Sequence, residues 1–190
     1  AGLLLDSASS NVAIGAFALD ADVTGSACVA VGVNALGACT GASNTAVGTT
    51  AGAGIVAGTV NVAVGASALA ASTGSDNVAV GGQALGGASN SASANVAVGR
   101  DAGLAIASGT RHVAVGFEAI MSAIANNDST AVGYRALRLA TTGELTMVGA
   151  NTGDAITTGA RHTGVGYNAL SAVSSNSDCT AVGHSAGAAV

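Results

Sequence analysis

The sequence predicts an all-β protein, a parallel β-solenoid or β-roll built from eleven repeats of about 17 residues. Three observations carry that reading. A β-branched residue followed by glycine recurs at Gly15, Gly32, Gly48, Gly65, Gly81, Gly99, Gly116, Gly133, Gly149, Gly166 and Gly183, which spans the 190 residues. Ala and Gly together fill 74 of the 190 positions, with no Pro, no Trp and only two Phe and two Tyr, so a thick globular core cannot be packed. Only 8% of residues are charged while 49% are hydrophobic, a balance that argues against disorder. A thin, repetitive rod satisfies all three, because a 17-residue unit cannot bury its own apolar face and must stack on its neighbours.

Positions are counted from each glycine, so that −1 precedes it and +4 is the fourth residue after it. Position −1 is Val or Ile in all eleven units, and position −3 is Val or Thr. Between them position −2 is Ala in all but two units, where Met147 and Gly164 stand instead. Two β-branched residues at period two read as a short strand. Val12, Ile14, Val62 and Val64 are expected to point inward, leaving Ala and Gly on the face where another backbone approaches. Position −7 is Gly or Asn in most units, including Gly25, Gly58, Gly109, Asn126 and Asn176, which predicts a turn with positive φ there.

After the glycine, Ala stands at +3 in ten units, followed by Leu, Ile or Gly at +4. Stretches such as 117–124 and 167–173 place apolar residues at i, i+3 and i+4. A compact turn is the favoured reading, with a short helical turn or a second strand as alternatives. The +4 residues run Leu19, Leu36, Gly52; Leu69, Leu85, Gly103; Ile120, Leu137, Gly153; Leu170, Gly187, a super-repeat of 50 or 51 residues. One coil per 17 residues is preferred, which makes a rod about 50 Å long. A triangular turn of 50 residues is the alternative, and a duplicated three-unit segment explains the same order without structural meaning. Ala1-Gly2 has the phase of Ala102-Gly103, so the expectation is a single rod over 1–190 taken from a longer array.

The net charge of −5 and five basic residues give no surface for a phosphate backbone, so no nucleic acid is expected as partner. Residues 23–75 carry no charge, yet Gly, Ser, Thr and Asn interrupt them, so no membrane insertion is expected either. A start without a basic segment shows no signal peptide. Cys28, Cys39 and Cys179 lack zinc-like spacing and are read as small reduced residues, with a Cys28–Cys39 disulfide as the alternative. His112 and His162 share position −4 with Cys28 and Cys179, while His184 lies elsewhere. No carboxylate or thiol completes a metal set around them, so no metal and no cofactor is expected. Arg111 and Arg161 are expected to pair with Asp128 and Asp178, with an acidic glycan as the other reading. No nucleophile, acid and base share a distinctive setting, no phosphate loop is present, and the scattered Thr do not suggest an ice-binding face. No catalytic residues are expected, and the chain is not read as an enzyme.

Asn61 to Leu69 (Asn-Val-Ala-Val-Gly-x-x-Ala-Leu) and Thr130 to Leu137 (Thr-Ala-Val-Gly-Tyr-Arg-Ala-Leu) resemble the repeats of phage tail-fibre-like proteins. They are also similar to the head repeats of trimeric autotransporter adhesins, whose units of 14 or 15 residues form a left-handed parallel β-roll. The resemblance covers all eleven units. It implies a structural fibre, homotrimeric, on a virion appendage or at the cell surface, acting in host-surface attachment with a cell-surface glycan as partner. A bacterial surface adhesin, a self-assembling extracellular filament subunit and a passive stalk are the alternative functions.

Overall fold

The computed structural model describes residues 8–21, 24–87, 91–106, 108–121, 127–141, 143–157, 159–172 and 177–188. The stretches 117–124 and 167–173, and the turn residues Asn126 and Asn176, therefore fall partly or wholly outside the described residues. Eleven three-residue strands follow one another: β1 (Val12–Ile14), β2 (Val29–Val31), β3 (Thr45–Val47), β4 (Val62–Val64), β5 (Val78–Val80), β6 (Val96–Val98), β7 (Val113–Val115), β8 (Thr130–Val132), β9 (Thr146–Val148), β10 (Thr163–Val165) and β11 (Thr180–Val182). They form one parallel sheet in strict chain order. Ile14 pairs with Val31 and Val31 with Val47, so one repeat makes one coil and the 50-residue turn is excluded. Turns follow each glycine, and no helix occurs among the described residues.

The expected inside and outside of the strands are reversed. Val12 is 46% exposed and Ile14 is 59% exposed, and Val62 and Val64 are only half-buried, whereas Ala63 is fully buried. The physical reason is cross-section. The strand faces a second inward row, the Ala at +3 and Leu at +4, and a coil this narrow has room for only one large residue. Leu19, Leu36, Leu69, Leu85, Ile120 and Leu137 take that room, so the strand contributes Ala.

The super-repeat has a structural meaning after all. Where +4 is Gly52, Gly103 or Gly153, an Ile three residues later is buried instead: Ile55, Ile106 and Ile156. A Cβ on Gly52 would lie 2.7 Å from the Leu36 side chain and 3.1 Å from Ile55. Every third coil thus fills its core from the far side of the turn. The two exceptions in the alanine column also compensate each other. Met147 and Gly164 are register partners, and a Cβ on Gly164 would come within 2.6 Å of the Met147 sulfur.

The expected positive φ at −7 is not found at Gly41, Gly58 or Gly74. Glycine is needed there because a Cβ would overlap the carbonyl of the next coil. The left-handed residues come two positions later, at Ser43 (60°), Val60 (58°) and Asp76 (59°), and again at +2 and +4, as in Asn34 (57°) and Leu36 (49°). Each such turn rotates an N–H along the rod axis: Ser43 N donates to Ser26 O at 2.9 Å, Asn34 N to Ala16 O at 2.8 Å and Leu36 N to Ala51 O at 2.9 Å. Left-handed backbone costs about 1–2 kcal/mol per residue, and a bond made by every coil to its neighbours offsets it.

Candidate functional site

Three rows of side chains run the length of the rod. Inside, position −4 holds a polar ladder. Asn44 Oδ1 accepts from Asn61 N at 2.9 Å and from Asn61 Nδ2 at 3.1 Å. Asn61 Oδ1 accepts likewise from Asn77, and Asn77 Oδ1 from Asn95. Asn95 Oδ1 then accepts from His112 N at 2.9 Å, and His112 Nδ1 from Ser129 N at 3.3 Å. The Asn side chains also donate to the carbonyl at −7 of the next coil, as Asn44 does to Gly58 O at 2.8 Å. His112 and His162 are buried in this row, and His162 Nδ1 accepts from Cys179 N at 3.2 Å. Their role is structural, as rungs of the ladder. They do not stack on one another, being three coils apart. Among the described residues no three His, Cys, Asp or Glu side chains gather where a metal ion could be held.

Cys28 and Cys39 are reduced and buried, and both thiols donate to Gly41 O at 3.3 Å. The neighbouring Cys28 thiol, burial and the charge of a Cys28 thiolate hold the Cys39 thiol well above the usual thiol range, although Gly41 and Asn44 act the other way. Cys39 therefore stays protonated and unreactive. The disulfide is not formed.

Outside, the −3 and −1 positions form a continuous Val and Thr strip with no charge in any of the eleven coils. Val47, Val80, Val98, Val132, Val148 and Val165 are each more than a third exposed along it. The remaining charges neutralise each other. Arg111 and Arg161 make two-pronged pairs with Asp128 and Asp178, with Nε to Oδ1 at 2.6 Å in both. Hydrogen bonding to the arginine holds each of these aspartates below its ordinary pKa. Arg135 pairs with Glu118, Arg138 with Asp154 and Arg100 with Asp101, so every arginine has a carboxylate and none forms an anion site.

Position +1, beyond the glycine corner, carries the aromatic residues that motif analysis did not single out. Phe117 and Tyr134 stack with centroids 5.6 Å apart and planes 11° apart, and Tyr167 stacks on His184 at 5.2 Å and 22°. The signal was their shared position in the repeat. No known protein family, curated protein or solved structure matches the chain.

Proposed function

We propose that this chain is the structural shaft of a fibre, in which copies associate side by side as a homotrimer on a virion appendage that attaches to a host surface. The observation that carries the reading is the uncharged Val and Thr strip, about 50 Å long at the spacing of parallel strands. A strip of that length on a chain whose own core is mostly Ala is the surface a second and third copy would cover. Association adds apolar burial at about 25 cal/mol per Å² without any larger side chain. The virion setting is supported by the resemblance of Thr130 to Leu137 and its sister repeats to tail-fibre repeats.

Multi-angle light scattering tests the assembly. Three chains per particle are expected for the unmodified protein. Val64→Lys with Val98→Lys, two outward positions, should release monomers that retain the β circular dichroism of the parent. A monomer at all concentrations of the unmodified protein refutes the shaft assembly.

A further inference from the structure

The aromatic row at +1 has a gap one coil wide. Phe117–Tyr134 and Tyr167–His184 each stack at little more than one coil spacing with nearly parallel planes, so the rings lie across the rod axis. The coil between them carries Ala150. Tyr134 and Tyr167 therefore face each other two coils apart, about 9.6 Å at the parallel-strand spacing. Tyr134 is 46% exposed and Tyr167 is 49% exposed, each with one face uncovered, while Phe117, covered on both sides, is less exposed. The Arg135 guanidinium lies 5.0 Å from the Tyr134 centroid, but its Nε is held by Glu118 Oε2 at 2.7 Å in the preceding coil. It covers the Phe117 side and leaves the Ala150 side open.

The slot has a floor at Ala150 and two walls. Val148 lines one side, more than a third exposed. Asn151 and Asn168 stand on the other, half-buried at position +2, with no hydrogen-bond partner for their amides among the described residues. Contacts of about 3.5–4.0 Å on both faces leave a flat aromatic ligand about 2 Å too thin for this gap. A pyranose chair is thicker by about that amount. Its C–H groups can meet both rings while its equatorial hydroxyls reach the two amides, which offer donors and acceptors at the rim.

We propose that the slot between Tyr134 and Tyr167 binds one pyranose residue of gluco configuration. All its ring substituents are equatorial, so both of its faces are apolar. An axial hydroxyl, as in mannose or galactose, would meet one of the rings with no partner. The inference deepens the attachment reading above and rests on it for the surface on which such a sugar is met, but the binding itself is independent of assembly.

The test is a titration of the intact chain with methyl β-glucopyranoside, methyl α-mannopyranoside and methyl β-galactopyranoside, followed by the tyrosine NMR signals. The glucoside should shift Tyr134 and Tyr167 saturably, and the other two should bind about tenfold more weakly or worse, equivalent to about 1.4 kcal/mol. Ala150→Tyr closes the gap with a residue the same row already accepts, and should abolish binding while light scattering and circular dichroism stay unchanged. Phe117→Ala should leave affinity within about twofold, since that ring's faces are already covered. Failure of the assembly test with glucoside binding intact would overturn only the shaft. No saturable glucoside shift, equal binding of all three sugars, or binding that survives Ala150→Tyr would overturn the slot.

Discussion

Asn61→Ala removes one rung of the buried ladder, and its cost can be worked from the bonds it breaks. Asn61 Oδ1 is the acceptor for Asn77 N at 3.0 Å, and Asn61 Nδ2 is the donor to Gly74 O at 3.0 Å. Both partners are buried and would lose those bonds. Asn77 Nδ2 keeps Ala92 O at 2.9 Å, and Asn44 Oδ1 keeps the backbone N–H of residue 61 at 2.9 Å. Two orphaned groups at about 1–3 kcal/mol each predict a loss of about 2–6 kcal/mol. Asn61→Ser should cost less, because Ser129 occupies the same row and its Oγ accepts from Leu145 N at 3.4 Å. Stacked repeats need not unfold in one step, so a global midpoint is the wrong readout. Amide hydrogen exchange at Asn77 is the right one, and Asn61→Ala should speed it by about tenfold or more. Exchange at Asn77 unchanged in Asn61→Ala, with no compensating shift elsewhere, would refute the claim that the ladder holds successive coils together.

Three further outcomes follow from the packing and charges. Leu69→Ala empties a fully buried site and should cost about 2–5 kcal/mol, while Val64→Ala on the outer face of the same coil should cost under about 1.5 kcal/mol in urea unfolding at a concentration where chains are separate. Met147→Ala and Gly164→Ala should each destabilise, the first by leaving a cavity and the second by overpacking. The double substitution restores two alanines to the row and should cost less than the sum, with a coupling of about 0.5–3 kcal/mol in a double-mutant cycle. The Asp128 and Asp178 carboxyls should titrate by NMR below about 3.9, their ordinary value. Their folded pKa is lowered, so the stabilisation they give is present above that value and fades as pH falls through the lowered one. In Asp128→Asn the pair is gone and the acid side of the stability profile should flatten.

The repeat period alone settles which strands pair, because eleven Val-Gly steps at nearly equal intervals admit only one in-register stack. The direction of the side chains was harder to see. Period two says that Val62 and Val64 share a face and Ala63 the other, but not which face is wet. Size suggested Val inside, and the thinness of the coil reversed it. The deciding signals were present in other positions: Asn61 shares a face with Ala63, and Leu69 supplies the bulk that Ala63 does not. The exchange of Leu for Gly was visible at +4, while its partner, the Ile three residues after Gly52, Gly103 and Gly153, passed unnoticed because it sits outside the conspicuous motif. The aromatic row escaped for another reason. Phe117, Tyr134 and Tyr167 are far apart in the chain, and only the coil spacing brings their rings into one line.

The claim that everything above depends on is one coil per repeat, with the valines outside. Spin labels at Val47→Cys and Val148→Cys, with Cys28 and Cys179 changed to Ser and Cys39 to Ala, test it by electron–electron distance measurement in a sample diluted with unlabelled chain. The two positions are six coils apart in the sheet, which predicts a separation of about 29 Å and mobile, solvent-accessible labels. A separation near 10 Å, as two stacked 50-residue turns would give, or labels immobilised in a core, would contradict it.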